Sequence, residues 1–335
     1  MVRRDLPALT GLRFFLALWV ILHHLTGPGQ ELGATLSAVL PAPLFALVRG
    51  GSQAVTTFFV LSGFVLTRSY WRESWTGAAL AKYYRGRVAR VYPVYLLSLA
   101  VVAPFIIADT TPGKWGYAAA HATLTQAWLG AIPVQWNTPA WSLSCEMFFY
   151  AVFPLVGAFL VRRARWPWVL AAGAVACVLT RVMWAAGISD AIKPLVHLSD
   201  FLMGIVAACA FELVQGKMRA WWLYVPGFLG VTAAIAWERW LPVDLNSVLR
   251  PLNGLLLVGL AMGCSALSGR MLVYLGKCSY AMYILHVPVM WWYLRKSHSF
   301  SPLVYVAMVV AASAVVYSVL EEPANRFLRR PALKT

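Results

Sequence analysis

Apolar residues run in blocks of about 17–25 along nearly the whole chain, separated by short polar and basic clusters. The blocks lack the strict alternation of ten-residue barrel strands, so they predict helices. Backbone amides in lipid must be satisfied within the segment, which favours the same answer. The expected spans are 7–26, 52–70, 91–109, 138–161, 167–187, 194–214, 221–237, 245–268, 276–294 and 301–320. Segments 32–49 and 115–133 are shorter or more polar, and read either as interfacial or re-entrant pieces or as further spans. No soluble domain, linker, low-complexity tract or clear internal repeat interrupts the pattern. The expected fold class is an all-α, polytopic transmembrane helical bundle of about ten spans with both termini cytoplasmic. Residues 1–325 form its transmembrane domain and 326–335 a short basic tail.

Composition sharpens this reading. Of 335 residues, 61% are hydrophobic and only 12% charged, with mean hydropathy +0.69. A soluble domain carries about 25% charged residues. The net charge of +16 would point a soluble protein toward nucleic acid, but here its distribution explains it. With the N-terminus inside, 19 Lys and Arg fall on the inner side and 7 on the outer, Arg250 among the latter; Arg13 and Arg181 lie within spans. That asymmetry is the positive-inside signature, and nucleic acid is not needed to account for it. The first apolar run follows Arg3 and Arg4 as a signal peptide would. It is interrupted by Arg13, His23 and His24 and lacks a clean cleavage site, so it reads as a retained span. The five cysteines show no metal-ligand spacing and read as buried thiols.

Ionisable residues inside spans mark function or pairing. Arg13 and His24 stand eleven residues apart, close to three whole turns, and so share one helix face about 16 Å apart along the axis. His23 is rotated roughly 100° away from that face. The alternative is that both residues reach to opposite interfaces. Glu146 lies within the fourth span, with Ser142 one turn earlier on its face. His197 and Asp200, at i and i+3, form a pair that reads as structural. His286, with Tyr283 on its face, reads as an interior histidine with satisfied bonds. His24, Glu146, His197 and Asp200 thus fall in the outer half of the membrane. Arg68, Arg72, Lys82, Arg85, Arg87 and Arg90 cluster at the inner side. That cluster is either ordinary positive-inside charge attracted to anionic lipid or a dock for a phosphorylated cytosolic ligand.

Six ordered segments resemble the acyltransferase-3 family of membrane acyltransferases, which O-acylate polysaccharides, lipopolysaccharide and some secondary metabolites. LTGLRFFLALWVILHH carries that family's Arg-x10-His pattern at Arg13 and His24. TTFFVLSGFVLTRSY holds its FFVLSGF run, Phe58 to Phe64, and YYRGRVARVYPVY resembles its arginine-rich loop before a span. WNTPAWSLSCEMFFYAVFP matches its Trp-Ser-Leu-Ser-x-Glu segment; LGKCSYAMYILHVPV and LEEPANRFLRR match its last two spans. Many members have Asp before the FFVLSGF run where this chain has Thr56, so a role for that Asp does not transfer. The chain ends about 15 residues after the last expected span, as in the family's single-domain form.

The resemblance implies acyl-CoA, most often acetyl-CoA, as donor substrate, with no permanently bound cofactor and no metal. It implies a glycan or glycolipid hydroxyl as acceptor, with a small metabolite such as a macrolide as runner-up, and a bacterial inner-membrane location. A hydroxyl needs a base near neutral pH, which suits His24 as general base or as covalent acyl acceptor. Glu146 would orient the imidazole. Arg13, Arg87 and Arg90 would bind the donor, and Ser62, Trp141, Ser142 and His286 are candidate supporting residues. Two other classes compete: a proton-coupled transporter, which needs no CoA, and a non-catalytic membrane scaffold.

Overall fold

The structure is a computed structural model that describes residues 6–71, 74–108, 110–130, 136–162, 165–187, 192–241, 244–296 and 300–328. Among these residues all regular structure is helical. The long helices are α1 (Pro7–Leu25), α2 (Gln53–Ser69), α3 (Gly77–Ile107), α4 (Trp141–Arg162), α5 (Trp166–Ala185), α6 (Leu198–Val214), α7 (Trp221–Ala236), α8 (Leu245–Met262), α9 (Arg270–Lys296) and α10 (Pro302–Val316). Among the described residues, eight helical segments, those containing α1 to α6, α8 and α10, are long and apolar enough to cross a membrane. Helix α7 has 16 residues, about 24 Å, somewhat short of a hydrocarbon core of about 30 Å. Exposed Trp221 and Trp222 at its start and Trp237 and Trp240 after its end form the aromatic flanks of a membrane-seated helix. Helix α9 has 27 residues, with Arg270 and Lys277 near one end and Arg295 and Lys296 at the other.

Three boundaries differ from expectation. The arginine-rich segment is not a loop. It forms the first turns of α3, which starts at Gly77 with Thr76 accepting from the Ala79 amide at 3.2 Å. A helix satisfies its own backbone in water as in lipid, so polar residues there do not end it. Segment 32–49 resolves into two short helices, Glu31–Val39 and Ala42–Arg49, broken at Leu40 and Pro41. Segment 115–133 resolves into Lys114–Ala122 and a turn at Gln126–Trp128, with residues 131–133 outside the described residues. Glu31–Val39 and Lys114–Ala122, nine residues each, reach about 14 Å and cannot span as straight rods, whereas Ala42–Arg49 runs on through Gly50–Ser52 into α2 as one apolar segment, Ala42–Ser69.

The chain divides into two compact units. The first comprises Met1–Glu73, Leu155–Ser189 and Leu195–Lys277. Within it α2 and α6 cross closely where Gly63 meets Gly204. A Cβ on Gly63 would fall 2.1 Å from the carbonyl oxygen of Phe201, and one on Gly204 2.0 Å from that of Val60. Small residues of this kind let helix backbones approach in lipid. The same requirement explains Gly11 and Gly276 in two of the ordered segments: a Cβ on Gly276 would lie 1.8 Å from the Thr10 carbonyl oxygen. Helices α7 and α8 enclose Val231, Ala234, Ile235, Leu245 and Leu249 against Trp19.

The second unit comprises Ser74–Pro154, Asp190–Pro194 and Cys278–Thr335. Its helices carry interior prolines whose missing amides release carbonyls one turn earlier. Pro154 leaves the Tyr150 carbonyl without its helical donor, and the Tyr83 hydroxyl donates to it at 3.1 Å. Pro288 does the same to Ile284, whose carbonyl accepts from the Asn137 amide at 2.9 Å. After α10 a π-turn, Tyr317–Glu321, packs on α3 and buries Glu321.

Candidate functional site

In the first unit, α1 carries both residues of the Arg-x10-His pattern, each half-buried. His24 Nδ1 lies 2.9 Å from the Val20 carbonyl oxygen. A carbonyl only accepts, so Nδ1 carries the proton and Nε2 is the basic nitrogen. This is the tautomer a general base or nucleophile requires. His23 is occupied otherwise: its Nδ1 donates to the Arg49 carbonyl, tying helix Ala42–Arg49 to α1. Ser62 is half-buried on α2 beside the Gly63 crossing.

The same unit holds an ion network that the sequence reading saw only in part. His197 donates from Nδ1 to Asp200 at 2.6 Å, as the i, i+3 spacing implies. Asp200, fully buried, also accepts from Arg250 Nε. Arg250 is therefore not an outer-loop cation. It sits inside α8, fully buried, one turn after Asn246 and one before Asn253. A buried carboxylate needs a counter-charge, and this one recruits it from the adjacent helix. Thr56, the departure from the family pattern, donates to Asn246 at 3.2 Å, and Thr57 donates to Asn253 at 3.1 Å. A neutral hydroxyl–amide pair thus occupies the position where a carboxylate is expected.

In the second unit, Asn137 and a short turn at Thr138–Ala140 lead into α4. The Lys193 ammonium lies 4.7 Å from the ring centroid of Trp141. Ser142 does not turn toward Glu146: its hydroxyl bonds that of Tyr283 at 2.8 Å and reaches the Pro139 carbonyl at 2.9 Å. His286 donates from Nδ1 to the Tyr283 carbonyl at 2.7 Å and is fully buried. Glu146 accepts instead from the hydroxyl of Tyr150, one turn on.

The basic cluster separates into distinct environments. Arg68 pairs with Glu212 and lies 4.8 Å over the Phe211 ring. Lys82 and Arg85 are exposed, and Arg72 lies outside the described residues. Arg90 pairs with buried Glu321 and lies 5.2 Å over the Tyr280 ring. Arg87 lies over the rings of Tyr83 and Tyr150, at 5.8 and 5.4 Å. Tyr150 therefore joins Arg87 to Glu146, so within this unit the carboxylate and the basic cluster do not form two separate layers. Tyr150, Asn137 and Glu321 were not singled out from sequence. Only Tyr150 left a local signal there, its i+4 spacing from Glu146.

The chain is 31% identical to acyltransferase MdmB of Streptomyces mycarofaciens, over 97% of this chain and 94% of that one. It is 27% identical to O-acetyltransferase OatA of Staphylococcus aureus over 48% of this chain, which is 26% of the longer relative. It is 32% identical to protein 2 in the picA locus of Rhizobium radiobacter, over 31% of this chain and 65% of that one. No solved structure gives a significant match. The model of an acyltransferase domain matches residues 6–321, from α1 through the buried Glu321. The chain, a multi-pass membrane protein, therefore belongs to the acyltransferase-3 family and is an acyltransferase.

Proposed function

We propose that this acyltransferase moves an acyl group, acetyl in the first instance, from cytosolic acyl-CoA to a hydroxyl of a glycan or glycolipid. The observation that carries the reading is the bond from His24 Nδ1 to the Val20 carbonyl, because it makes Nε2 the proton-accepting nitrogen. His24 removes the proton of the acceptor hydroxyl, whose oxygen attacks the thioester carbonyl. The thiolate leaves and takes up that proton, so that free CoA thiol and an ester result. In a covalent variant the same Nε2 attacks the thioester first and passes the acyl group to the hydroxyl afterwards.

Glu146 orients the reacting groups. Arg87 and Arg13 are assigned to the donor, Arg87 to its phosphates through the planar fork that suits them. Arg90, held by Glu321, supports that frame. The name of the relative OatA, an O-acetyltransferase, supports an acetyl group and an oxygen acceptor. The charge asymmetry of the loops supports cytoplasmic termini, and the bacterial sources of the relatives support a bacterial inner-membrane setting.

The test uses membranes containing the full chain, incubated with labelled acetyl-CoA, with thiol release and ester formation read together. His24→Ala should lower both by 10²–10⁴-fold, the usual contribution of a general base, while His23→Ala keeps most of the rate in the protein that folds. Near wild-type transfer in His24→Ala would refute the assignment. No dependence on CoA at all would favour a transporter.

A further inference from the structure

We propose that Tyr150 is a positioning residue of the transfer site, holding Glu146 in its working orientation while its ring carries the guanidinium of Arg87. The proposal rests on the assignment of Glu146 and Arg87 to that site.

Three independent contacts meet at this one residue. Its hydroxyl donates to Glu146 Oε1, one helical turn earlier on α4. Its backbone carbonyl, released by Pro154, accepts from Tyr83 at 3.1 Å. Its ring lies 5.4 Å beneath the Arg87 guanidinium, and Tyr83 offers a second ring at 5.8 Å. Tyr150 is 4% exposed. The side chain is thus anchored through its backbone, enclosed by packing and aimed at a carboxylate.

The contrast with Arg90 gives these contacts their meaning. Arg90 is neutralised by Glu321. Arg87 has no carboxylate partner among the described residues, and its buried Nε makes no hydrogen bond. Two aromatic faces hold it in place without consuming its charge, which stays available to an anion. Meanwhile a hydroxyl bond to one carboxylate oxygen fixes the Glu146 rotamer and directs the other oxygen. One side chain thereby sets the relative placement of a donor-binding cation and an orienting carboxylate. Preorganisation of this kind raises turnover without tightening ground-state binding.

The hydroxyl and the ring make separable contributions. Tyr150→Phe deletes the bond to Glu146 and keeps the ring; it also keeps the backbone carbonyl that Tyr83 holds, so the fold has its anchor. Expected is a kcat about 10-fold to 100-fold lower, the usual weight of a hydrogen bond to a charged group, with KM for acyl-CoA unchanged. Tyr150→Leu also removes the ring and should raise that KM severalfold, in line with a partly desolvated cation–π contact. Equilibrium binding of acetyl-CoA to purified Tyr150→Phe protein, independent of turnover, should match wild type. Wild-type kcat in Tyr150→Phe overturns the proposal, as does an equal change in kcat and KM in both variants. Glu146→Ala separates the two levels. If it stays active, the assignment of Glu146 to the site fails and the proposal falls with it. If it is inactive while Tyr150→Phe turns over normally, only the role of Tyr150 fails.

Discussion

The side-chain amide of Asn137 donates to the backbone carbonyl of Ile284 at 2.9 Å, in the place that the amide of residue 288 would take if that residue were not proline. The bond joins the segment before α4 to the middle of α9, and Asn137 donates to Ser98 on α3 at 3.0 Å as well. Asn137→Ala should lower stability in detergent by about 1–3 kcal/mol, because two buried acceptors lose a donor. In a Pro288→Ala background, the new amide at 288 can reach Ile284, and the cost of Asn137→Ala should fall. A double-mutant cycle by thermal or denaturant unfolding measures that coupling. Additive costs would show that Asn137 is not the substitute donor.

Asp200 and Arg250 should behave as a buried pair. Asp200→Asn leaves a guanidinium buried inside α8 beside a neutral amide and should cost about 3–5 kcal/mol. Replacing both, as Asp200→Leu with Arg250→Met, removes the uncompensated charge and should cost less than either single change. His197 also loses its bond to Asp200 in that variant, so recovery should be incomplete. The comparison is one of unfolding midpoints at matched denaturation slopes. A double variant worse than both singles would mean that the network contributes more than charge balance.

The crossing of α2 and α6 gives a steric expectation. Gly63→Ala would place a Cβ 2.1 Å from the Phe201 carbonyl oxygen, which belongs to rigid helix backbone. The helices must separate, at a cost of about 1–3 kcal/mol. Gly86→Ala in α3 is the control, since a Cβ there meets nothing within 4 Å. Alanine is also the better helix former by about 1 kcal/mol. Expression level and unfolding temperature should fall for Gly63→Ala and hold or rise for Gly86→Ala.

The long helices were legible because an apolar run of bilayer length reports the solvent it faces, whatever packs beside it. The glycines of the ordered segments were visible as motif positions, but their reason, contact with the Phe201 or Thr10 carbonyl, lies on another helix. Arg250 was misread because the expected span 245–268 contained it while its charge was still counted with the outer loop. Six residues into α8, it is already one turn past the Asp244 cap. Asp200 was read from its i, i+3 spacing as the partner of His197, and no local pattern links it to Arg250, fifty residues away. Within the candidate site, the face shared by Arg13 and His24 followed from spacing alone. The tautomer of His24 did not, because it depends on which carbonyl the ring meets. Asn137 and Ile284 are 147 residues apart, and no local pattern reports such a partner.

Arg87 and Arg90 sit one turn apart and were read as equivalent phosphate ligands, yet their surroundings assign them different work. Arg90 faces Glu321, which the π-turn after α10 carries into the interior. Arg90→Ala would take the guanidinium away from that buried carboxylate, and Glu321→Ala would take the carboxylate away from Arg90. Each should destabilise by about 3–5 kcal/mol, and the double alanine variant by less than their sum. Among the described residues Arg87 lies over tyrosine rings and pairs with no carboxylate, so Arg87→Ala should leave the unfolding midpoint nearly unchanged. Its effect should fall on the donor: acetyl-CoA should bind at least tenfold more weakly, since a charge-assisted contact to phosphate contributes about 1.5–3 kcal/mol. Desphospho analogues of the donor, which lack the group that the arginine would hold, should bind wild type and Arg87→Ala alike. If donor affinity instead falls in folded Arg90→Ala protein and holds in Arg87→Ala, the assignments are reversed. Glu321 would then be a carboxylate that the donor's phosphates displace.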